Sequence, residues 1–371
     1  MTTDLFSRVE PSWISSPDVD AAGDPITLCS SIRIVRNLDG FPFPGRCAKP
    51  QLYDAAAILL GEIGSSDAWG ASDFRMIDSL DALSKNLLAE TRMITPLLAE
   101  GGPGRFFHRD ELGIASCMIN EENHLTLSIT QPGLALSEVA ERAQLHLESI
   151  RVKMAYDTVL GYLTANPGSV GSGVHASVLL HLPALDALDD MKRVLFNFER
   201  DWRGLAFYKL LSDQNNPSGS FYLLTNRVTL GVEAAEIADH VADAAQSIVS
   251  KEMFSRHKIV NMRADDMKDR FWRAWGLLRH ARKLSFTEAV NRFSFVKLGS
   301  DLGILPRIGE REWRSTVIGA QRYHMRASSN QITEQSDEPF VRASMFRQFI
   351  ERSGATSVAG SPDFGKIDKE L

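Results

Sequence analysis

Two arginines three residues apart in an apolar run are the first groups in this chain that could do chemistry. They are Arg33 and Arg36, within Cys29-Ser30-Ser31-Ile32-Arg33-Ile34-Val35-Arg36-Asn37. A guanidinium presents a planar fork of donors that suits phosphate or carboxylate, so the pair reads as an anion site or as a structural salt bridge. Asn120-Glu121-Glu122-Asn123-His124 offers carboxylates that could take a cation or a proton, or simply form a solvated acidic turn. Gly161 to Gly173 is Gly-rich enough for backbone N–H groups to approach an anion. No Lys follows in the G-x-x-x-x-G-K-[ST] pattern, which excludes a P-loop NTPase. Ser212 to Gly219 is a polar loop.

Hydrophobic periodicity indicates what must position these groups. Residues 50 to 100 read as helical, with Leu80, Leu83, Leu87 and Leu88 at helix spacing, and Gly101-Gly102-Pro103-Gly104 then breaks the chain. From residue 114 the period becomes two, predicting strands over 114–119 and 125–129 joined by the acidic turn. A helix is expected over 137–154 and a strand over 176–180. A hairpin is expected of 221–225 and 228–230 about Asn226-Arg227, followed by a helix of about 20 residues carrying Ile237, Val241, Ala245 and Ile248 on one face. Strands paired through turns with helices outside them predict an α+β fold, an antiparallel sheet core flanked by helices. The expected division is a mostly helical portion 1–100, an α+β catalytic-type core 101–254, and a helical, Arg- and aromatic-rich domain 255–371 with a frayed tail from Ser353. The aromatics of that domain read as its core, or in part as a dimer face.

Composition narrows the function. The 371 residues are 44% hydrophobic and 24% charged, which excludes a disordered or collagen-like chain. Forty-one Lys and Arg against 47 Asp and Glu leave a net charge of −6, against a nucleic-acid partner. Three scattered cysteines support neither a disulfide framework nor a structural zinc site, and no metal centre is expected. With no signal segment or long apolar run, a cytoplasmic protein without membrane partners is expected.

Taken together and in order, SSIRIVRNLDGFPFP, MINEENHL, QPGLAL, AYDTVLGYLTANPGSVGSGVHASVLLHLPAL and LLTNRVTLG resemble the ATP:guanido phosphotransferases, with a closer likeness to the bacterial protein-arginine kinases. FWRAWGLLRHARKL and FVKLGSDLGIL extend the likeness to about residue 350. The resemblance implies Mg-ATP as the phosphoryl donor, an arginine-containing protein as acceptor, and a guanido kinase fold. It also implies a zinc-finger activator and a Clp-type unfoldase as partners, and a homodimer as a possible assembly.

The resemblance also marks departures. Of the arginines that surround the ATP phosphates in the family, Arg33 and Arg36 match two, while the others fall on Ser31, Thr126, His175 and, in an ungapped alignment, Tyr208. Arg203 could replace Tyr208 only with an insertion. A nucleotide-contacting histidine falls on Arg92. The acceptor-gripping carboxylates fall on Glu122 and Asp213, but the reactive cysteine falls on Asn166 and an acidic position on Asn123. Of the RDxxRA phosphoarginine motif only Arg342 and Ala343 persist, in Glu338-Pro339-Phe340-Val341-Arg342-Ala343. Four lost charge-assisted contacts would weaken phosphate binding by roughly 6 kcal/mol, on the order of 10⁴-fold. The resulting expectation is a pseudokinase that binds arginine-containing partners in protein quality control. The alternatives are a divergent active protein-arginine kinase and a structural or assembly subunit.

Overall fold

The computed structural model describes residues 11–15, 19, 25–69, 74–110, 112–211, 217–262, 264–329, 332 and 334–356. At its centre is an eight-stranded antiparallel sheet. In chain order its strands are β1 (Thr27–Arg36), β2 (Arg75–Met76), β3 (Phe106–Arg109), β4 (Ala115–Ile119), β5 (Leu125–Pro132), β8 (Val174–His181), β9 (Leu205–Leu211) and β10 (Pro217–Asn226). A separate two-stranded ribbon pairs β6 (Tyr156–Asp157) with β7 (Gly161–Tyr162). The spatial order of the large sheet is β2-β3-β4-β5-β1-β8-β10-β9.

Alternation along the strands gives this sheet two unlike faces. Ile32 and Ile34 of β1, Leu127 and Ile129 of β5, and Ala176 and Val178 of β8 point to one side. There they pack beneath Val139 and Ala143 of α5 (Leu136–Glu148) and beneath Val241, Ala245 and Ile248 of α8 (Ala234–Met262). The preceding helices are α1 (Ser12–Ser15), α2 (Lys49–Gly64), α3 (Ala82–Glu90) and α4 (Pro96–Ala99). Asp81 and Thr95 cap the last two by accepting from Ser84 N and Leu98 N. Two further helices, α6 (Pro183–Ala187) and α7 (Met191–Asp201), join β8 to β9.

The C-terminal helices are α9 (Ala264–His280), α10 (Phe286–Asp301), α11 (Glu310–Gly319), α12 (Arg322–Ser328) and α13 (Glu338–Thr356). Phe271, Trp275, Phe293, Trp313 and Phe346 form their core, which continues onto Leu28, Cys29 and Leu179 of the sheet. A buried ionic cluster ties the two regions. Arg256 of α8 bonds Glu252 at 3.0 Å and Asp301 at 3.2 Å, and Lys297 bonds Asp301 and Glu310. Glu252 also accepts from Ala184 N and Leu185 N, so one carboxylate caps α6 and holds the cluster.

Several expectations are corrected. Asn226-Arg227 does not turn a hairpin: β10 pairs with β9 and β8, and the Asn226 carboxamide bonds Ala176 N, Val174 O and Val228 O, taking the place of further ladder bonds. The helix after Ser137 stops at Glu148 rather than Met154, because the following backbone is bonded elsewhere: Arg151 N donates to Glu62, and Ala155 N to Asn37 O. Residues 50–100 are not wholly helical, since Arg75–Met76 adds a short edge strand. The polar loop expected over 212–219 already enters β10 at Pro217, and the tail expected from Ser353 is helical through Thr356; residues 212–216 and 357–371 lie outside the described residues. Among the described residues no helix is long and apolar enough to cross a membrane.

Candidate functional site

The second face of the sheet is polar and forms the floor of a cavity of about 450 Å³. Register arranges it in rows. Ser116, Ser128, Arg33 and His175 are successive cross-strand partners, as are Thr130, Ser31, Ser177 and Thr225 in the next row. A third row places Cys29, Leu179, Leu223 and Tyr208 side by side. Of the floor residues expected from sequence, Ser31, Arg33, His175 and Tyr208 line the cavity together.

The wall is built by the segment after α3. Arg92 has φ +61°, a left-handed conformation that costs a non-glycine residue roughly 1–2 kcal/mol. It is held there by a tight set of bonds: Arg92 N donates to Ala89 O at 3.0 Å and Met93 N to Leu88 O at 3.0 Å. This reversal sets Arg92, Ile94 and Thr95 along the cavity. A third guanidinium, Arg109 at the end of β3, completes the lining. Its Nη1 is buried with no hydrogen-bond partner among the described residues, and burial pulls its pKa down against the opposing charge of Asp110. Sequence reasoning passed over Arg109, which follows Phe106-Phe107-His108 in no recognisable motif.

The other floor positions carry no fixed cation. Ser31 and Thr130 share a 2.9 Å hydroxyl bond. His175 Nε2 meets Ser169 Oγ at 2.8 Å, and burial, reinforced by the Arg33 charge, lowers its pKa to about 4, so it is neutral near pH 7. Tyr208 is 46% exposed at the rim. Thr126 lies on the same side of β5 as Ser128 but is buried, with no bond to its Oγ1 among the described residues, and does not reach the cavity.

Arg36 is elsewhere. Three residues from Arg33 in a strand, it points to the opposite side. There it is 4% exposed, lies 3.6 Å over the Tyr162 ring and donates to Val35 O and Ser172 O. Burial lowers its pKa to about 10. Arg203 sits in the turn before β9 and is absent from the lining, so it is Tyr208 that faces the cavity. Arg342 is likewise built into the fold, donating to Ala320 O and Leu284 O. Its neighbour Glu338 is bonded to Arg322 and Arg326.

The acidic turn closes against the Gly-rich loop. Asn120, at φ +55°, donates to Leu52 O and Gly104 O. Asn123 Oδ1 accepts from Asn37 Nδ2 and Ala165 N. Asn166 Oδ1 accepts from Gly168 N, which starts the turn carrying Ser169 to His175. Glu121 accepts from Thr95 Oγ1 and so ties the turn to the cavity wall. Glu122 is exposed beside it and does not line the cavity. Asp213 lies outside the described residues.

Three guanidinium groups around a polar floor make a site for a polyanion, since Arg33, Arg92 and Arg109 each present forked donors. The buried Nη1 of Arg109, without a partner among the described residues, is a donor open to an acceptor oxygen. Among the described residues no group of three or more His, Cys, Asp or Glu side chains could hold a metal ion.

Comparison with known proteins places this cleft in context. Residues 62–254 match the ATP:guanido phosphotransferase, C-terminal catalytic domain, and residues 264–360 match the Protein-arginine kinase McsB C-terminal domain. The protein-arginine kinase of Symbiobacterium thermophilum is 30% identical over 352 residues, covering 93% of this chain and 98% of that protein. The Brevibacillus brevis protein-arginine kinase is 30% identical over 346 residues, covering 91% and 94%. In fold the chain is similar to lombricine kinase, with a TM-score of 0.55 at 18% identity, covering 67% of this chain and 72% of that one. The substrate-free duplicated taurocyamine kinase from Schistosoma mansoni aligns with a TM-score of 0.56 at 18% identity over 67% of this chain, which spans 36% of that longer protein.

Proposed function

This chain belongs to the ATP:guanido phosphotransferase family, and from that premise we propose that it is a protein-arginine-kinase-like pseudokinase: it binds a phosphate-bearing nucleotide and arginine-containing partners but transfers phosphate slowly or not at all. One observation carries the reading. The cavity floor presents Ser31, a neutral His175 and Tyr208 where the family pattern calls for arginine, and Thr126 is buried out of reach. Phosphoryl transfer rests on fixed positive charge around the equatorial oxygens of the migrating group, and among the described residues the floor supplies it from Arg33 and, two strands beyond Ser128 in the same row, from Arg109.

Mg-ATP is the substrate that Arg33, Arg92 and Arg109 would hold, through its phosphates. On the acceptor side, Glu122 is the group proposed to grip an arginine side chain, with Asp213 as the second carboxylate. Asn166 and Asn123 are engaged in holding the loop, and neither offers a thiolate or a carboxylate to take the acceptor's proton. Partners proposed for the protein are an arginine-containing chain, a zinc-finger activator, a Clp-type unfoldase and a second copy of this chain, in cytoplasmic protein quality control.

The test is a calorimetric Mg-ATP titration alongside a transfer assay to an arginine-containing protein. ATP binding that Arg33→Ala removes, without acid-labile phosphoarginine, supports the proposal. Transfer that disappears in Glu122→Ala overturns it in favour of an active protein-arginine kinase. That second reading is favoured by one observation: Arg92 beside the sheet and Arg109 at the end of β3 bring two further cations to the cavity.

A further inference from the structure

Glu90 ends α3, two residues before Arg92. Its side chain is 4% exposed and turned away from the cleft, into the C-terminal helices. Oε1 accepts from Tyr323 N at 2.9 Å, and Oε2 accepts from His324 N at 3.0 Å and contacts His324 Nδ1 at 2.6 Å. The Glu90 carbonyl accepts from Gln321 Nε2 at 3.3 Å. One carboxylate therefore caps the first turn of α12 from another part of the chain. A second cavity of about 430 Å³ lies on this side, where Glu90, Arg92 and Ile94 meet Val317, Ile318 and Gln321. Arg92, Ile94 and Thr95 line both cavities, as do Trp13, Arg33 and Leu179, so this short backbone segment runs along the boundary between the cleft and the C-terminal helices.

We infer that Glu90 is a positioning residue through which the C-terminal helical region sets Arg92 in the cleft. The left-handed backbone at Arg92 persists only where its surroundings over-determine it. The bonds within the reversal supply one side of that constraint and the Glu90 cap on α12 supplies the other. Loss of the cap frees the end of α3 to unwind, and Arg92 leaves the cavity wall. The C-terminal region thereby adjusts polyanion affinity without touching the ligand. This deepens the phosphate-cleft reading and rests on it.

The experiment is a double-mutant cycle on the full chain, with Mg-ATP and inorganic tripolyphosphate as probes and hydrogen exchange read in parallel. Glu90→Ala should weaken both ligands roughly two- to thirtyfold, and should weaken them no further when Arg92 is already alanine. Glu90→Gln, which keeps one acceptor oxygen, should fall between, and it carries the test if Glu90→Ala does not fold. Amides of 91–94 and of 323–324 should lose protection together. Equal weakening by Glu90→Ala in both backgrounds would overturn the inference, as would unchanged affinity in a folded variant. If the unaltered protein binds neither probe, the phosphate reading fails and exchange alone decides the coupling: loss confined to 323–324 overturns it, and joint loss sustains it.

Discussion

Arg33 and His175 are direct partners across the β1–β8 ladder, and the fixed charge of the first works with burial to keep the second neutral. A position facing the cleft that could have carried a second cation is thereby uncharged at any pH near neutrality.

Adding charge there should tighten binding. His175→Arg places a guanidinium beside Arg33 on the cleft floor, and Tyr208→Arg adds another at the rim. Each should tighten Mg-ATP by roughly tenfold, the value of one charge-assisted contact of about 1.5 kcal/mol. Calorimetry of the two variants and their combination checks this, and unchanged affinity in all three would remove the phosphate assignment.

Arg36 should behave as a structural residue. Its stacking on Tyr162 and its bonds to Val35 O and Ser172 O are buried, so Arg36→Ala should cost about 2–4 kcal/mol of stability. Denaturant unfolding reads that loss. At a temperature where the variant remains folded, ATP affinity should change less than threefold, whereas Arg33→Ala should show the reverse pattern.

Acid should destabilise the fold over a defined window. Burial lowers the pKa of His124 and of His175 to about 4, and that of His181 falls well below its ordinary value. Between about pH 6.5 and about pH 4 the unfolded chain binds protons at these histidines that the folded chain does not. Stability is therefore full above the unfolded value and falls as pH drops through the window, by up to about 1.4 kcal/mol per pH unit for each histidine. His175→Gln should reduce the slope between about pH 5 and about pH 6 by one proton in urea unfolding series. A slope unchanged by the substitution would show that His175 is already protonated in the fold.

The buried ionic cluster should be intolerant of half-removal. Lys297 is 1% exposed and bonded to both Asp301 and Glu310. Lys297→Ala leaves Asp301 sharing Arg256 with Glu252, and Glu310 facing Arg314 at 3.6 Å, so that the loss of one buried cation should cost about 3–5 kcal/mol. Lys297→Met with Asp301→Asn should recover part of that loss, since one negative charge goes with the lysine while Arg256 keeps Glu252 and Arg314 keeps Glu310. Thermal unfolding of the single and double variants separates the two cases.

Much of this architecture was legible from residue order. The alternation at 114–119 and 125–129 predicted two strands, and they form with the acidic turn between them, because a strand half-buried against helices must alternate. The same period held a signal that the pairing of Arg33 with Arg36 overlooked: residues three apart in a strand face opposite sides, so the two could not share one anion. The family motifs likewise marked Ser31, Arg33, His175 and Tyr208, which the floor of the cavity does gather.

What sequence alone determined is therefore the antiparallel α+β class, the strands β4, β5, β8 and β10, and the residue types at Ser31, Arg33, His175 and Tyr208, since these follow from local periodicity and from short motifs. Only the tertiary structure decided the wall. Arg109 reaches the cavity through the register of β3 and Arg92 through a left-handed reversal, while Glu90 turns away from it onto an α12 more than two hundred residues away in the chain. Their positions depend on which surfaces pack together, and no periodicity within a short window encodes that.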